Sequence, residues 1–407
     1  MRGICVVIAV GGLLLASCAE DFTPATDVAG LRVLGIRSEP AEVAPGQLAE
    51  VSALVVDPTA PARHNTLVWI SCDPDPFDLN RSACSDLEQL ADASSLFAPG
   101  DGGTPDLPPG MKLAGFGDKA YYAPPADLFD ALDGGDPRRQ SGTVAQLLLL
   151  AIAEEVSPTA TQEELKALFE RVRTHEVASV LALFRVRVSE STEPNHNPQI
   201  GAVLVDGEPV PAGAHVTVTP GRDARIRFTA PEESLESWDQ PLPTGVERRT
   251  ERLVASPYTT GGLFNFERVA VNEDFDTVYT PPSGTGDDPL PVRGRFWVVV
   301  RDTRGGQSWR EHRLHFCEPL GEVPAIRRVM PSEVESEGGV TVTLEGDRAD
   351  RVLDVLIGGA ALDRGGYSEA TKQFSGGMPA LSPGTYPVLV RTVDCVTLDT
   401  GLKVTVR

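Results

Sequence analysis

The chain has 407 residues, with 36 Lys+Arg against 58 Asp+Glu and a formal net charge of −22 at pH 7. That balance excludes nucleic-acid binding by phosphate neutralisation, which needs clustered Lys and Arg, and it opposes charge-driven adhesion to an anionic membrane. The length allows roughly two to four domains. Beyond residue 17 no segment is apolar for the ~18 residues that mark a membrane-spanning helix.

Residues 1–17 combine a basic start at Arg2, an uncharged apolar stretch over 4–15, and the small residues Ala16 and Ser17. This is the pattern of a secretory signal peptide, short of the ~20 apolar residues needed to span a bilayer. Cys18 follows at once. Leu15-Ala16-Ser17-Cys18 resembles the lipobox of bacterial lipoproteins. The resemblance implies cleavage before Cys18 and acylation of its thiol and new amino group. More than one acyl chain is what makes such an anchor stable. It also implies that Ala19, standing where an aspartate would favour inner-membrane retention, directs the protein to the bacterial outer membrane, facing the periplasm or the cell surface. Residues 18–29 are then a lipidated tether, and the membrane is a partner through that lipid.

Residues 30–190 read as a β domain carrying an insertion. Two β-rich runs in "LRVLGIRSEPAEVAPGQLAEVSALVVDP" flank turn chemistry, and "TLVWISC" is a third strand, with Trp69 and Cys72 on opposite faces. Residues 85–142 are rich in Gly, Pro and Asp and read as a long irregular insertion, with a short helix at "PADLFDAL". "TVAQLLLLAIAEE" is expected as a strand partnering "ASVLALFRVRVSE". Between them, residues 161–174 are expected as a helix capped by Thr161, with Leu165, Leu168, Phe169 and Val172 on one face. "STEPNHNPQ" (191–199) reads as a linker, 199–317 as a second β-sandwich ending in a hairpin turned by "DTRGGQ", and 324–407 as a third.

Six cysteines are present. Cys5 leaves with the signal and Cys18 is lipidated. The even remainder of an exported chain suggests two disulfides. The expected pairs are Cys72–Cys84, closing a local polar loop, and Cys317–Cys395. Within that loop Asp73, Asp75 and Asp78 offer clustered carboxylates suited to calcium. Phe77 breaks the EF-hand spacing, so a solvated turn is the alternative. No other cofactor is expected. "GFGDKA" (115–120) reads as a turn rather than a dinucleotide loop. His312 and His315 are expected at the surface on opposite faces of a strand, and Tyr121, Tyr122 and Trp238 as either exposed aromatics for a sugar or protein contact or packed side chains.

The order "PAIRRVMPSEVESEGGVTVTLEG", "VLIGGAAL", "SPGTYPVLVRT" over 324–407 resembles the IPT/TIG immunoglobulin-like module, and the first two segments resemble the Ig-like domains of exported lipoproteins. The fold class expected is therefore mostly β: tandem immunoglobulin-like β-sandwiches, the first with a loop and helix insertion. The resemblance implies a non-enzymatic envelope protein that binds, adheres or acts as a spacer, its partner an envelope protein or polysaccharide; 85–142 is the expected contact segment because loops on a rigid scaffold often carry recognition. The alternative is an envelope hydrolase or polysaccharide-acting enzyme with its site in that insertion.

Overall fold

The computed structural model describes residues 24–75, 77, 110–157, 160–242, 245–286, 288–291 and 294–407. Cys18, Asp78, Cys84 and most of the first half of the 85–142 segment lie outside the described residues. The chain is mostly β and forms tandem Ig-like sandwiches.

In the first sandwich the strands are β1 (Arg32–Glu39), β2 (Glu42–Val43), β3 (Ala49–Val56), β4 (Thr66–Cys72), β5 (Met111–Phe116), β6 (Lys119–Tyr122), β7 (Thr143–Ile152) and β8 (Ser179–Val188). They form the sheets β1-β3-β6 and β2-β8-β7-β4-β5. Val51, Trp69, Leu147, Leu149 and Phe184 fill the space between them. Trp69 is fully buried, and its indole N–H donates to the Gly117 carbonyl at 2.9 Å. The apolar run of β7 is continuous because both its faces are covered. Its odd-numbered residues point into this core, and on the far face the helix Gln162–Arg173 lays Leu168 and Phe169 against Ile152. A capping box between Thr161 and Glu164 starts that helix.

Two expectations for this domain are corrected. The second half of the 85–142 segment is not irregular: β5 pairs with β4 and β6 with β3, joined by a turn at Gly117 and Asp118. Met111, Ala120 and Tyr122 are core residues. Nor does "PADLFDAL" form a helix. Phe129 and Leu132 are buried, but their carbonyls accept from the Arg139 guanidinium at 2.7 and 3.2 Å, and the segment stays in turns. The helical turn comes later, at Pro137–Ser141.

The second sandwich packs the sheet built on Ala224–Phe228 against that built on Gly294–Arg301, around Ile226, Phe228, Phe296 and Val298. The third does the same around Leu344, Ile357, Phe374 and Val388. All three share one device. The opening strand lies in one sheet; a short strand then crosses to the other and pairs in parallel with the last strand of the domain. This is β2 with β8, Val216–Val218 with Gln307–Phe316, and Glu333–Val334 with Thr397–Val406. The crossing is marked by Pro40-Ala41-Glu42-Val43 in the first domain and Pro331-Ser332-Glu333-Val334 in the third. In each short strand a buried valine (Val43, Val216 or Val334) points into the core.

Candidate functional site

The buried chemistry of this molecule lies in its two inter-domain seams. The first is apolar at its centre. The outer face of β1 and β3 meets the outer face of the second domain's sheet that contains Gly294–Arg301, burying Val28, Leu34, Trp297 and Val299, with Leu54, Val56, Tyr258 and Trp309 around them. The packing is tight at Gly35, where a Cβ would sit 3.3 Å from side-chain atoms of both Trp309 and Val299. Arg37 stacks over the Trp309 ring at 4.9 Å, and Arg301 donates to the Leu34 carbonyl at 2.7 Å.

Beside this apolar patch is a polar cluster. The "DTRGGQ" turn inserts Arg304 into it, with a side chain only 4% exposed. Arg304 donates to Glu42 Oε2 at 2.8 Å and to the Glu193 carbonyl at 2.8 Å, lies 3.8 Å from Glu251, and stacks over Trp238 at 5.0 Å. Glu42 is held from three further sides: by the Ser189 hydroxyl, by the Asn195 amide at 2.9 Å, and by Arg187 at 3.5 Å. Asp302 accepts from the amides of Arg304, Gly305 and Gly306 at 2.7–2.9 Å and from Asn195 Nδ2 at 3.0 Å. A Cβ on Gly306 would fall 2.2 Å from Asp302 Oδ2, so only glycine fits there. Burial pushes the Glu251 carboxyl up to about 8; the charges of Asp302 and Glu236 add to this and Arg304 opposes it. Burial likewise raises Asp302, against its hydrogen bonds.

The segment expected as a linker is bound into this seam. Asn195 is fully buried. Asn197 donates to the Ser38 carbonyl at 2.7 Å and accepts from the Gln307 amide at 2.9 Å, and His196 bonds Glu236 at 2.7 Å. Its composition resembles a linker because Asn and Glu also serve as seam groups when a receptor surrounds them.

The second seam joins the second and third domains. His215, the residue before the buried Val216, bonds Asp354 through Nδ1 at 2.8 Å and through its amide at 3.1 Å. Arg391 and Arg313 lie 3.7 and 3.8 Å from the same carboxylate. Burial pushes Asp354 up, but the His215 bonds and the His215 and Arg391 charges outweigh it and hold the carboxyl below its usual range. Ala212 pairs with Ala360, Arg391 donates to the His215 carbonyl at 3.0 Å, and Ala214, Leu356 and Ala361 pack together. Cys317 and Cys395 are joined by a disulfide with Cα atoms 5.5 Å apart, which staples the domains covalently. Beside it a cavity of about 260 Å3 is lined by Val205, Asp206, Arg222 and Arg391.

Other residues singled out from the sequence fall elsewhere. Asp73 pairs with Lys112 at 2.8 Å, and Asp75 caps the Phe77 amide at 2.8 Å. Among the described residues no group of three or more potential ligands gathers as a metal site. Cys72 is disulfide-bonded, but the expected partner Cys84 lies outside the described residues. His312 and His315 are on opposite faces but not at the surface. His312 turns inward toward Phe296, 5.7 Å away, and burial pushes it down to about 4. His315 bonds the Val393 carbonyl across the second seam at 2.8 Å. Of the three aromatics, Tyr121 is exposed, Tyr122 is core, and Trp238 lies half-buried under Arg304. Sequence reasoning missed Glu42, Arg304, Glu251, His215 and Asp354. The only trace was the Pro-x-Glu-Val motif shared by the first and third domains.

No protein-family model matches the sequence, and no curated protein matches it significantly. Solved structures do match. SGBP-B of the mixed-linkage glucan utilization locus of Bacteroides ovatus, in complex with a mixed-linkage heptasaccharide, is 12% identical, over 94% of this chain and 71% of that one, with a TM-score of 0.15. SGBP-B from a complex xyloglucan utilization locus in Bacteroides uniformis is 19% identical, over 50% of this chain and 48% of that one, with a TM-score of 0.17. Invasin, a bacterial integrin-binding protein, is 10% identical, over 93% and 60%, with a TM-score of 0.16. TM-scores this low carry no argument about function or about the arrangement of the sandwiches.

Proposed function

We propose that this is a non-enzymatic, lipid-anchored protein of the bacterial outer membrane, whose three sandwiches act as one rigid body that holds a binding surface at a fixed distance and angle from the lipid. The partner class is an envelope protein or a polysaccharide. The observation that carries the reading is the pair of seams. The Glu42–Arg304 pair and the Asn195–Asp302 bond at one, and His215–Asp354 and the Cys317–Cys395 bond at the other, tie the domains together. Independent modules on flexible linkers would have no use for buried charge at their junctions, since desolvating it costs several kcal/mol per ion unless partners are fixed. The anchor is supported by the Leu15-Ala16-Ser17-Cys18 pattern.

Two measurements test the two halves. Intact mass of protein extracted from membranes is expected to show a chain starting at Cys18 with added acyl mass, absent from Cys18→Ala; an unmodified chain overturns the anchor. Small-angle scattering of the full chain is expected to fit one rigid shape, and a distribution of domain angles overturns the rigid body.

A further inference from the structure

Among the described residues β8 is an edge strand along most of its length. On one side β7 pairs with it without a break, from Thr143↔Val188 to Ile152↔Ser179. On the other side, among the described residues, β2 pairs with it only at Arg187 and Val188. The direction of its backbone groups follows from the ladder. The Ala153 amide donates to the Ala178 carbonyl directly opposite at 2.8 Å, and hydrogen-bonded and non-hydrogen-bonded pairs alternate in an antiparallel ladder. Val180, Ala182 and Phe184 therefore bond β7, while Ser179, Leu181, Leu183 and Arg185 turn N–H and C=O outward. The same parity holds at Ser189, whose amide donates outward to the Val43 carbonyl at 3.0 Å.

Those odd-numbered residues also carry the exposed side chains. Leu181 is 56% and Leu183 50% exposed, and Arg185 is exposed too. Among the described residues no hydrogen bond reaches the outward groups of Leu181 or Leu183. Val180 and Ala182, though inward-facing, are only half-buried, so the sandwich is open at this side. Proteins ordinarily blunt such an edge with lysine, proline, a bulge or a covering element; β8 has no lysine, proline or bulge along this stretch. Between it and β1, the edge of the opposing sheet, lies a cavity of about 180 Å3 lined by Val33, Ile36, Ala182, Leu183 and Gln307.

We propose that β8 accepts an added strand: an extended segment of a partner protein with apolar residues at alternate positions, facing Leu181 and Leu183, and a carboxylate facing Arg185. This rests on the reading of the chain as a binding body and names the kind of partner. Main-chain bonds to an exposed edge supply affinity, and alternate side chains supply specificity. Charge selects the occupant. In antiparallel self-pairing centred on Ala182, Leu181 would face Leu183 and Arg185 would face Ser179, leaving the arginine with no counter-charge, whereas an acidic strand supplies one.

The test uses the full chain and a synthetic ten-residue peptide of alternating valine and threonine, with glutamate at the position facing Arg185. Binding is read by fluorescence anisotropy and amide hydrogen exchange. Saturable binding is expected, with the Leu181 and Leu183 amides slowed about tenfold or more and those of Val180 and Ala182, already bonded to β7, unchanged. Leu183→Pro removes an outward N–H without touching the β7 ladder and should weaken binding about tenfold or more, while Leu183→Thr keeps the N–H and keeps most of the binding. Arg185→Glu should reverse the preference toward a lysine-bearing peptide. Absence of saturable binding, or binding indifferent to both Leu183→Pro and Arg185→Glu, overturns the proposal. So does concentration-dependent dimerisation abolished by Leu183→Pro, which would give the edge to a second copy. None of these readouts depends on the lipid or on domain angles, so failure here is distinct from failure of the anchor or of the rigid body.

Discussion

Replacing Arg304 with alanine is the sharpest test of the first seam. The guanidinium is 4% exposed and faces Glu42 and Glu251, 2% and 1% exposed. Glu42 keeps Arg187, Ser189 and the Asn195 amide after the change, so it is only partly orphaned. Glu251 and Glu236 lose the cation beside them, and the Glu193 carbonyl loses its donor. Removing one partner of a buried pair costs about 3–5 kcal/mol; the residual partners of Glu42 place Arg304→Ala near the lower end, about 3 kcal/mol. Arg304→Lys restores the charge but not the fork, whose Nη2 reaches Glu42 and the Glu193 carbonyl while Nη1 faces Glu236 and Glu251, so it recovers about half of that loss. The assay is equilibrium urea unfolding followed by tryptophan fluorescence, because Trp238 lies 5.0 Å from the guanidinium and reports its loss. A loss below about 1 kcal/mol, the range of an exposed ion pair, would refute the view that this cluster is desolvated and holds the seam.

Three further outcomes are expected. Glu251 stands at about 8 in the folded chain against an ordinary 4.5; the unfolded chain gives up that proton first, so the stability it contributes is full below 4.5 and is lost as pH climbs to about 8. Glu251→Gln should flatten the fall in urea midpoint over that range, and an unchanged slope would rule the group out as its source. Cys317→Ser with Cys395→Ser opens a loop of sequence separation 78 and should cost about 4.5 kcal/mol on the chain-entropy estimate, read as an earlier calorimetric transition of the third domain; coincident transitions in both forms would contradict it. His215→Ala withdraws the imidazole hydrogen bond from the buried Asp354 and keeps the one from the residue's own amide; it should cost about 1–3 kcal/mol, with faster amide exchange at 354–357, and unchanged exchange there would show that the amide, Arg391 and Arg313 suffice.

Much of the architecture was legible wherever local chemistry and tertiary role coincide. The helix Gln162–Arg173 begins at a threonine whose side chain and Glu164 close a capping box within four residues. The β7 run is long and apolar on both faces, and a buried central strand answers to that pattern. Elsewhere the partner lies too far along the chain to be inferred. Glu42 looks like a solvated strand start, yet its counter-charge is 262 residues away. Arg304 looks like an ordinary turn residue between a strand and two glycines. Met111–Phe116 and Lys119–Tyr122 are short strands interrupted by Gly115 and Gly117, and their periodicity is too brief to stand out from a Gly- and Pro-rich neighbourhood. "PADLFDAL" has helical spacing, but Arg139 competes for its carbonyls.

The residue before the crossing valine carries one more consequence. In the first domain it is Glu42, which takes an arginine of the second; in the second it is His215, which takes an aspartate of the third; in the third it is Glu333, ion-paired with Arg407 at the surface. The connectors are thus keyed. An acid that needs a base cannot mate with the aspartate that receives the histidine, so the sandwiches cannot be permuted, duplicated or exchanged as whole units without leaving a buried charge stranded. What recombination can pass on intact is a junction: the second half of one sandwich together with the first half of the next.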